Sequence, residues 1–140
     1  LNVRKLSLNG ANVSDLSELR ALTKLQDVTL SHCTRRELLI PLHKSSLTRV
    51  TLVDCDLRGD FFRSFDRERA LTALSLTDCE LDSTSGLEDF TGLTELTVRG
   101  VARTFDWSAL GGLPLQTVTA DALQADAIAA ATTVAVTVVD

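Results

Sequence analysis

The sequence predicts a stacked repeat of α/β class, and two observations carry the prediction: a recurring apolar motif and the kind of side chain available to build a core. The motif, apolar-x-x-apolar-x-apolar, stands at Val3/Leu6/Leu8, Leu25/Val28/Leu30, Leu47/Val50/Leu52, Leu71/Leu74/Leu76, Leu93/Leu96/Val98 and Leu115/Val118/Ala120. Its first members are separated by 22, 22, 24, 22 and 22 residues. Leu or Val fills 17 of these 18 positions but only 37 of all 140, so the recurrence is not a product of composition. Self-similarity at a fixed period marks units that cannot bury their apolar stripe alone and must stack. With five Phe, one Trp and neither Tyr nor Met, the core has to be built from branched aliphatics, which suits thin, regular layers.

Taken in order, each motif predicts a short strand and the residues after it a return segment. Along a strand, side chains alternate between faces. The first unit returns through Val13, Leu16, Leu19 and Leu22. The third is two residues longer than its neighbours, and its Asp60–Phe65 segment predicts a helical turn or two, with Phe62 and Phe65 at i and i+3. A weaker seventh copy, Thr133/Val136/Val138, starts only 18 residues after Leu115. That spacing and the Ala-rich stretch 125–131 suggest a degenerating end, or a repeat leading into something else. The run Val134–Val139 would leave an apolar edge strand open to pairing. Residues 1–140 are expected to form a single domain with units beginning near 3, 25, 47, 71, 93, 115 and, in the weaker copy, 133. Because the chain begins at Leu1 and is patterned from its third residue, it is expected to be an excerpt of a longer protein.

Positions beyond the motif extend the pattern to L-x-x-L-x-L-x-x-N/C-x-L. Cys33, Cys55 and Cys79 occupy the ninth position of the second to fourth units, and Leu57 and Leu81 the eleventh of the third and fourth. Over residues 1–124 the chain resembles the leucine-rich repeat family, in particular the 22-residue subclass of SDS22-like and bacterial internalin-like proteins. The resemblance implies a curved solenoid with a parallel sheet on the concave face and short helical, 3₁₀ or loop returns on the convex face. It implies that the ninth side chain points inward and satisfies backbone groups at the strand's exit. Function is then expected on the concave face, at the second, third and fifth positions of each motif.

Composition excludes several chemistries. Net charge is −5 and the pI about 5.0, with signs interspersed. That argues against nucleic acid, whose binding rests on clustered Lys and Arg. The nearest basic cluster, Arg63, Arg67 and Arg69, is broken by Asp66 and Glu68. No apolar run approaches the roughly 18 residues of a membrane span, and no secretory signal is visible. The three Cys match no zinc spacing, and their odd number would leave a free thiol in a disulfide column. Buried free thiols favour a reducing compartment, here read as cytoplasmic. There is no G-x-S-x-G elbow, phosphate-binding glycine loop or H-E-x-x-H, so the chain is read as no enzyme, with no cofactor and no metal.

Four constellations remain. The central concave column reads Ser7, Thr29, Thr51, Ser75, Thr97, Thr119 and Thr137. Such a column serves the sheet itself, through β-branching and hydroxyl pairs, or offers a polar strip to a regular ligand. The adjacent column reads Lys5, Asp27, Arg49, Ala73, Glu95 and Thr117. Mutual ion pairing and the setting of a partner's register are both open readings of it. His32, Asp54 and Asp78 recur at the strand exits, where a solvated turn outweighs a cation or acid–base site. Trp107, with Phe105, reads as convex-side core more than as a binding anchor, and His43 beside Lys44 has no assignable partner. The expected function is a protein–protein interaction module of unknown oligomeric state. Its expected partner-binding residues are Lys5, Asp27, Thr29, Arg49, Thr51, Glu95, Thr97 and Arg99. Two alternatives stay open: a structural segment packed permanently in a large assembly, and the sensor or substrate-binding arm of a multidomain nucleotide-driven or catalytic parent.

Overall fold

The computed structural model describes residues 3–10, 21–34, 46–64 and 70–139. Within them the chain is α/β, with one seven-stranded sheet whose spatial order is its sequence order. The strands are β1 (Lys5–Asn9), β2 (Asp27–Ser31), β3 (Arg49–Val53), β4 (Ala73–Thr77), β5 (Glu95–Arg99), β6 (Thr117–Asp121) and β7 (Val136–Val139). Every neighbouring pair is parallel and in register motif to motif, so that Val28 faces Val50, Leu74 faces Leu96, and Leu30 faces Leu52. The weak seventh copy therefore does form a strand, with Val136 and Val138 opposite Val118 and Ala120.

Alternation explains which face is covered. The fourth and sixth motif residues of β2 to β6 are buried, as are the first residues Leu25, Leu47, Leu71, Leu93 and Leu115 just before each strand. These rows fuse with the return segments into a single hydrophobic core. A fully buried Leu or Val contributes about 1.5–3 kcal/mol over its exposed state, so the rows are what hold neighbouring strands together. At the β1 edge the same columns, Leu6 and Leu8, are only half-buried.

The returns differ from one unit to the next. In the third, helix α1 (Phe61–Ser64) buries Phe61 and Phe62. Phe62 then meets the Phe90 ring edge to face at 6.1 Å. The predicted i, i+3 partner Phe65 lies outside the described residues, as do Val13, Leu16, Leu19, His43, Arg67 and Arg69. The fourth and fifth returns carry 3₁₀ turns, Leu87–Asp89 and Ser108–Gly112. Gly86, just before the first of these, has φ 104° and lies so close to α1 that a Cβ would stand 2.5 Å from the Arg63 amide nitrogen. Only glycine meets both conditions.

The sixth return is a ten-residue helix, α2 (Ala122–Ala131). The Ala-rich stretch is thus regular structure, and alanine is the strongest helix former. Its buried side, Gln124, Ala125 and Ile128, packs on the core.

Two backbone devices repeat at the ends of the strands. At each start, one carbonyl accepts from two successive amides of the next unit: Gln26 O takes the N–H of Thr48 at 2.8 Å and of Arg49 at 3.0 Å, and Thr48 O and Thr72 O repeat the pattern. A threonine hydroxyl joins each of these carbonyls, Thr48 Oγ1 to Gln26 O, Thr72 Oγ1 to Thr48 O and Thr94 Oγ1 to Thr72 O, at 3.1–3.2 Å. At the exits of β2 to β5 the chain turns through the left-handed region, with φ 56° at His32, 53° at Asp54, 56° at Asp78 and 70° at Gly100.

Candidate functional site

All eight residues expected to bind a partner fall on the sheet face away from the core. Its central column is Ser7, Thr29, Thr51, Ser75, Thr97, Thr119 and Thr137, each directly opposite the next. The five interior hydroxyl residues are half-buried, and Ser7 and Thr137 at the two edges are exposed. Strand spacing is about 4.8 Å, so the column is a strip of regularly spaced hydroxyl groups. No described return segment crosses this face; all pack on the other side.

The charged column beside it is closed into pairs. Lys5 Nζ lies 3.8 Å from Asp27 Oδ2 on the neighbouring strand. Arg49 skips a strand, and its Nη2 donates to Glu95 Oε2 at 3.1 Å. Ala73 on the intervening strand makes this possible, because its methyl leaves room for the guanidinium and carboxylate to meet above it. Ala73 is covered in consequence, at 3 % exposure. Both members of the longer pair stay about half exposed, at 47 % and 49 %. Such pairs contribute only about 0–1 kcal/mol, so either partner can be redirected at small cost. Arg99 stands on the same face, two residues beyond Thr97.

The strand-exit column has a conformational cause. Aspartate and histidine enter the left-handed region more readily than most side chains, and glycine does so freely. His32, Asp54, Asp78 and Gly100 are thus four solutions to one turn. Each of the first three amides donates 2.8 Å to a carbonyl of the next unit, to Val53, Thr77 and Arg99 respectively. At Gly100 the acceptor is instead the Asp121 carboxylate, 2.6 Å away, where α2 begins. A Cβ at Gly100 would collide with Asp78 Oδ1. His32 Nδ1 is hydrogen-bonded to Asp54 Oδ2 at 2.8 Å, both side chains more than half exposed. Among the described residues no three His, Cys, Asp or Glu side chains gather into a cation-binding cluster.

The cysteines are internal. Cys33, Cys55 and Cys79 are buried free thiols. Cys55 Sγ donates to Leu30 O at 3.5 Å and Cys79 Sγ to Leu52 O at 3.4 Å, each tying its unit to the preceding strand. The hydrogen bond shared with Cys79, and then burial, hold the Cys55 thiol above its ordinary range. High-pKa buried thiols make poor nucleophiles.

Trp107 is also internal, at 1 % exposure. Its Nε1 donates 3.0 Å to Oε1 of the fully buried Gln124, whose Nε2 donates in turn to the carbonyls of Val101, at 3.4 Å, and Arg103. This amide bridge could not be found from the repeat, because its two ends come from different returns. Nearby, a shallow groove of about 510 Å³ is lined by Asp82, Glu88, Phe105 and Asp106 among others. Its carboxylates are engaged locally. Asp82 accepts the Gly59 amide at 2.7 Å, Glu88 the Gly86 amide at 3.0 Å, and Asp106 the Ser108 amide at 2.9 Å. That Ser108 amide, followed by the Ser108 hydroxyl, holds the Asp106 carboxyl below the usual range.

No known protein-family pattern matches the sequence, and no curated protein is significantly similar to it. No helix among the described residues is long and apolar enough to cross a membrane.

Proposed function

We propose that the chain is part of a leucine-rich repeat solenoid that recognises a protein partner through the open, concave face of its sheet, and that it has no catalytic role. One observation carries the reading: an uninterrupted hydroxyl column in exact strand register, flanked by charged side chains whose mutual pairs are weak. A partner can exchange such pairs for its own at little cost, and complementary charge fixes register and excludes wrong partners. The mixed signs favour protein over nucleic acid as the ligand. The buried free thiols favour a reducing, cytoplasmic setting.

The residues proposed to make contact are Lys5, Asp27, Arg49, Glu95 and Arg99, with Thr29, Thr51 and Thr97 between them. The test is affinity capture with the wild-type chain beside the triple variant Lys5→Glu, Arg49→Glu, Glu95→Lys. A protein retained by wild type and lost from the folded variant is the expected result. Retention of the same set by both would move the site off this face.

A second reading, a segment packed permanently within a larger assembly, is favoured by one observation. Among the described residues, the exposed large hydrophobic side chains, Leu123 and Val138, both lie in the last part of the chain.

A further inference from the structure

Cys55 and Cys79 stand side by side in the third and fourth units, and we infer that they form a peroxide-oxidisable pair. Cys79 takes up the oxidant, and Cys55 then closes a disulfide with it. Each residue follows its strand by two positions, after the register pair Val53–Thr77, and each precedes the parallel bridge Asp56–Glu80. The Glu80 amide donates to the Cys55 carbonyl at 3.0 Å, which holds the two residues abreast. Neighbouring parallel strands lie about 4.8 Å apart, and the Cα atoms of a disulfide stand roughly 4.4–6.8 Å apart. Both thiols have equivalent surroundings one unit apart, Cys55 Sγ donating to Leu30 O and Cys79 Sγ to Leu52 O. A bond between them needs side-chain rotation, not a new register.

The two thiols are unequal, and the difference assigns their roles. The hydrogen bond from Cys55 holds the Cys79 thiol below its ordinary value, against the opposing effect of burial. The same bond, and then burial, hold Cys55 above its own. Cys79 also has the approach. It lines a groove of about 470 Å³ at the strand exits, beside Arg58, Gly100 and Arg103, whereas Cys33 and Cys55 do not. Hydrogen peroxide, little larger than a water of about 30 Å³, fits there. Cys79 is only 2 % exposed, so this groove supplies the access that the bulk surface does not. Asp78 and Glu80 on the same groove offset the two guanidinium groups, which leaves Cys55 as the stabiliser of the thiolate. A low-pKa thiol within reach of solvent and poised beside a second thiol is the kind that peroxide oxidises reversibly.

The Cys79 thiolate attacks one peroxide oxygen, the O–O bond breaks, and hydroxide leaves as Cys79 becomes a sulfenic acid. The Cys55 sulfur then attacks the Cys79 sulfur, the S–O bond breaks, and the oxygen departs with the Cys55 proton as water. The proton that Cys79 gave up neutralises the first hydroxide. Two thiols and one peroxide thus yield one disulfide and two waters, with sulfur oxidised and peroxide oxygen reduced. In the reducing setting proposed above, such a bond is transient and redox-sensing.

The test treats the full, reduced chain with hydrogen peroxide and follows thiol count, intact mass and a non-reducing peptide map. Two of the three thiols are expected to disappear, the mass to fall by two hydrogens, and the map to link Cys55 to Cys79. In Cys55→Ser the Cys79 sulfenic acid should persist and be captured by dimedone, with Cys55→Ala as the alternative should circular dichroism show the serine variant misfolded. Cys33→Ser should form the disulfide as fast as wild type. Survival of all three thiols under peroxide that consumes the thiol of free glutathione overturns the inference. So does a link to Cys33, or a reaction seen only in urea beyond the unfolding midpoint. Partner capture by the concave charge variant reports on the proposed function separately, because none of its substitutions touches a cysteine or the groove.

Discussion

Replacing Gln124 by Leu keeps the volume of a buried side chain and removes three hydrogen bonds, so it isolates the polar bridge between the fifth and sixth units. The Trp107 indole N–H loses its acceptor at 3.0 Å, and the carbonyls of Val101 and Arg103 lose a donor. A buried donor left unpaired costs about 1–3 kcal/mol. The Arg103 carbonyl adds about 1 kcal/mol, and the long contact to Val101 adds little. Against this, the leucine gains apolar burial worth about 1 kcal/mol beyond the glutamine stem. The net expectation is a destabilisation of about 2 kcal/mol, read as a lower urea midpoint at unchanged slope. Trp107→Phe removes the donor itself. In that background Gln124→Leu should therefore cost about 2 kcal/mol less, a coupling that a double-mutant cycle reads directly. A neutral or stabilising Gln124→Leu, or a coupling of zero, would refute the idea that this amide joins the two units through the indole.

Three further outcomes follow from the geometry. Gly100→Ala should destabilise by about 1–2 kcal/mol, since it needs a left-handed φ and collides with Asp78; Asp78→Gly in the same background should recover only the steric part, measured by urea unfolding. Cys55→Ala removes a buried thiol whose Sγ–H donates to Leu30 O, and should destabilise by about 1 kcal/mol in urea unfolding, with a neutral result meaning that the thiol does not tie its unit to the preceding strand. Arg49→Ala should change stability by less than about 1 kcal/mol while exposing Ala73, and a larger loss in thermal unfolding would mean that the pair with Glu95 is a structural staple.

Strand positions and facing could be read from the sequence because they depend on local alternation summed over stacked copies. Val28, Leu30, Val50 and Leu52 are apolar for the same reason at the same two places, and the residues between them must face the other way. Even the short final step from Leu115 to Thr133 was enough to locate β7. The returns were less legible. Ala122–Ala131 is a helix because alanine favours one, yet an Ala-rich run also fits a decaying repeat, and only packing of Gln124 and Ile128 on the core separates the two. On the open face, the column of hydroxyls was visible from spacing alone. The Arg49–Glu95 pair was not, because its signal is the smallness of Ala73 on a strand between them. His32, Asp54 and Asp78 read from the sequence as turn residues; the structure adds their common cause, a left-handed φ, and Gly100 in the fifth unit, which seemed to break the column, obeys the same rule. Thr48, Thr72 and Thr94 recur one residue after the first leucine of their units, a signal present in the sequence whose meaning lies in the carbonyls they share.

The most direct test of the proposed role places a photoreactive benzophenone side chain at Thr97, in the middle of the open face, and in a second variant at Ser108, exposed on the opposite side. Both chains are irradiated in the cells that make them. If the open face is the recognition surface, one protein is cross-linked from Thr97 and not from Ser108. Cross-linking from Ser108 alone would contradict the account.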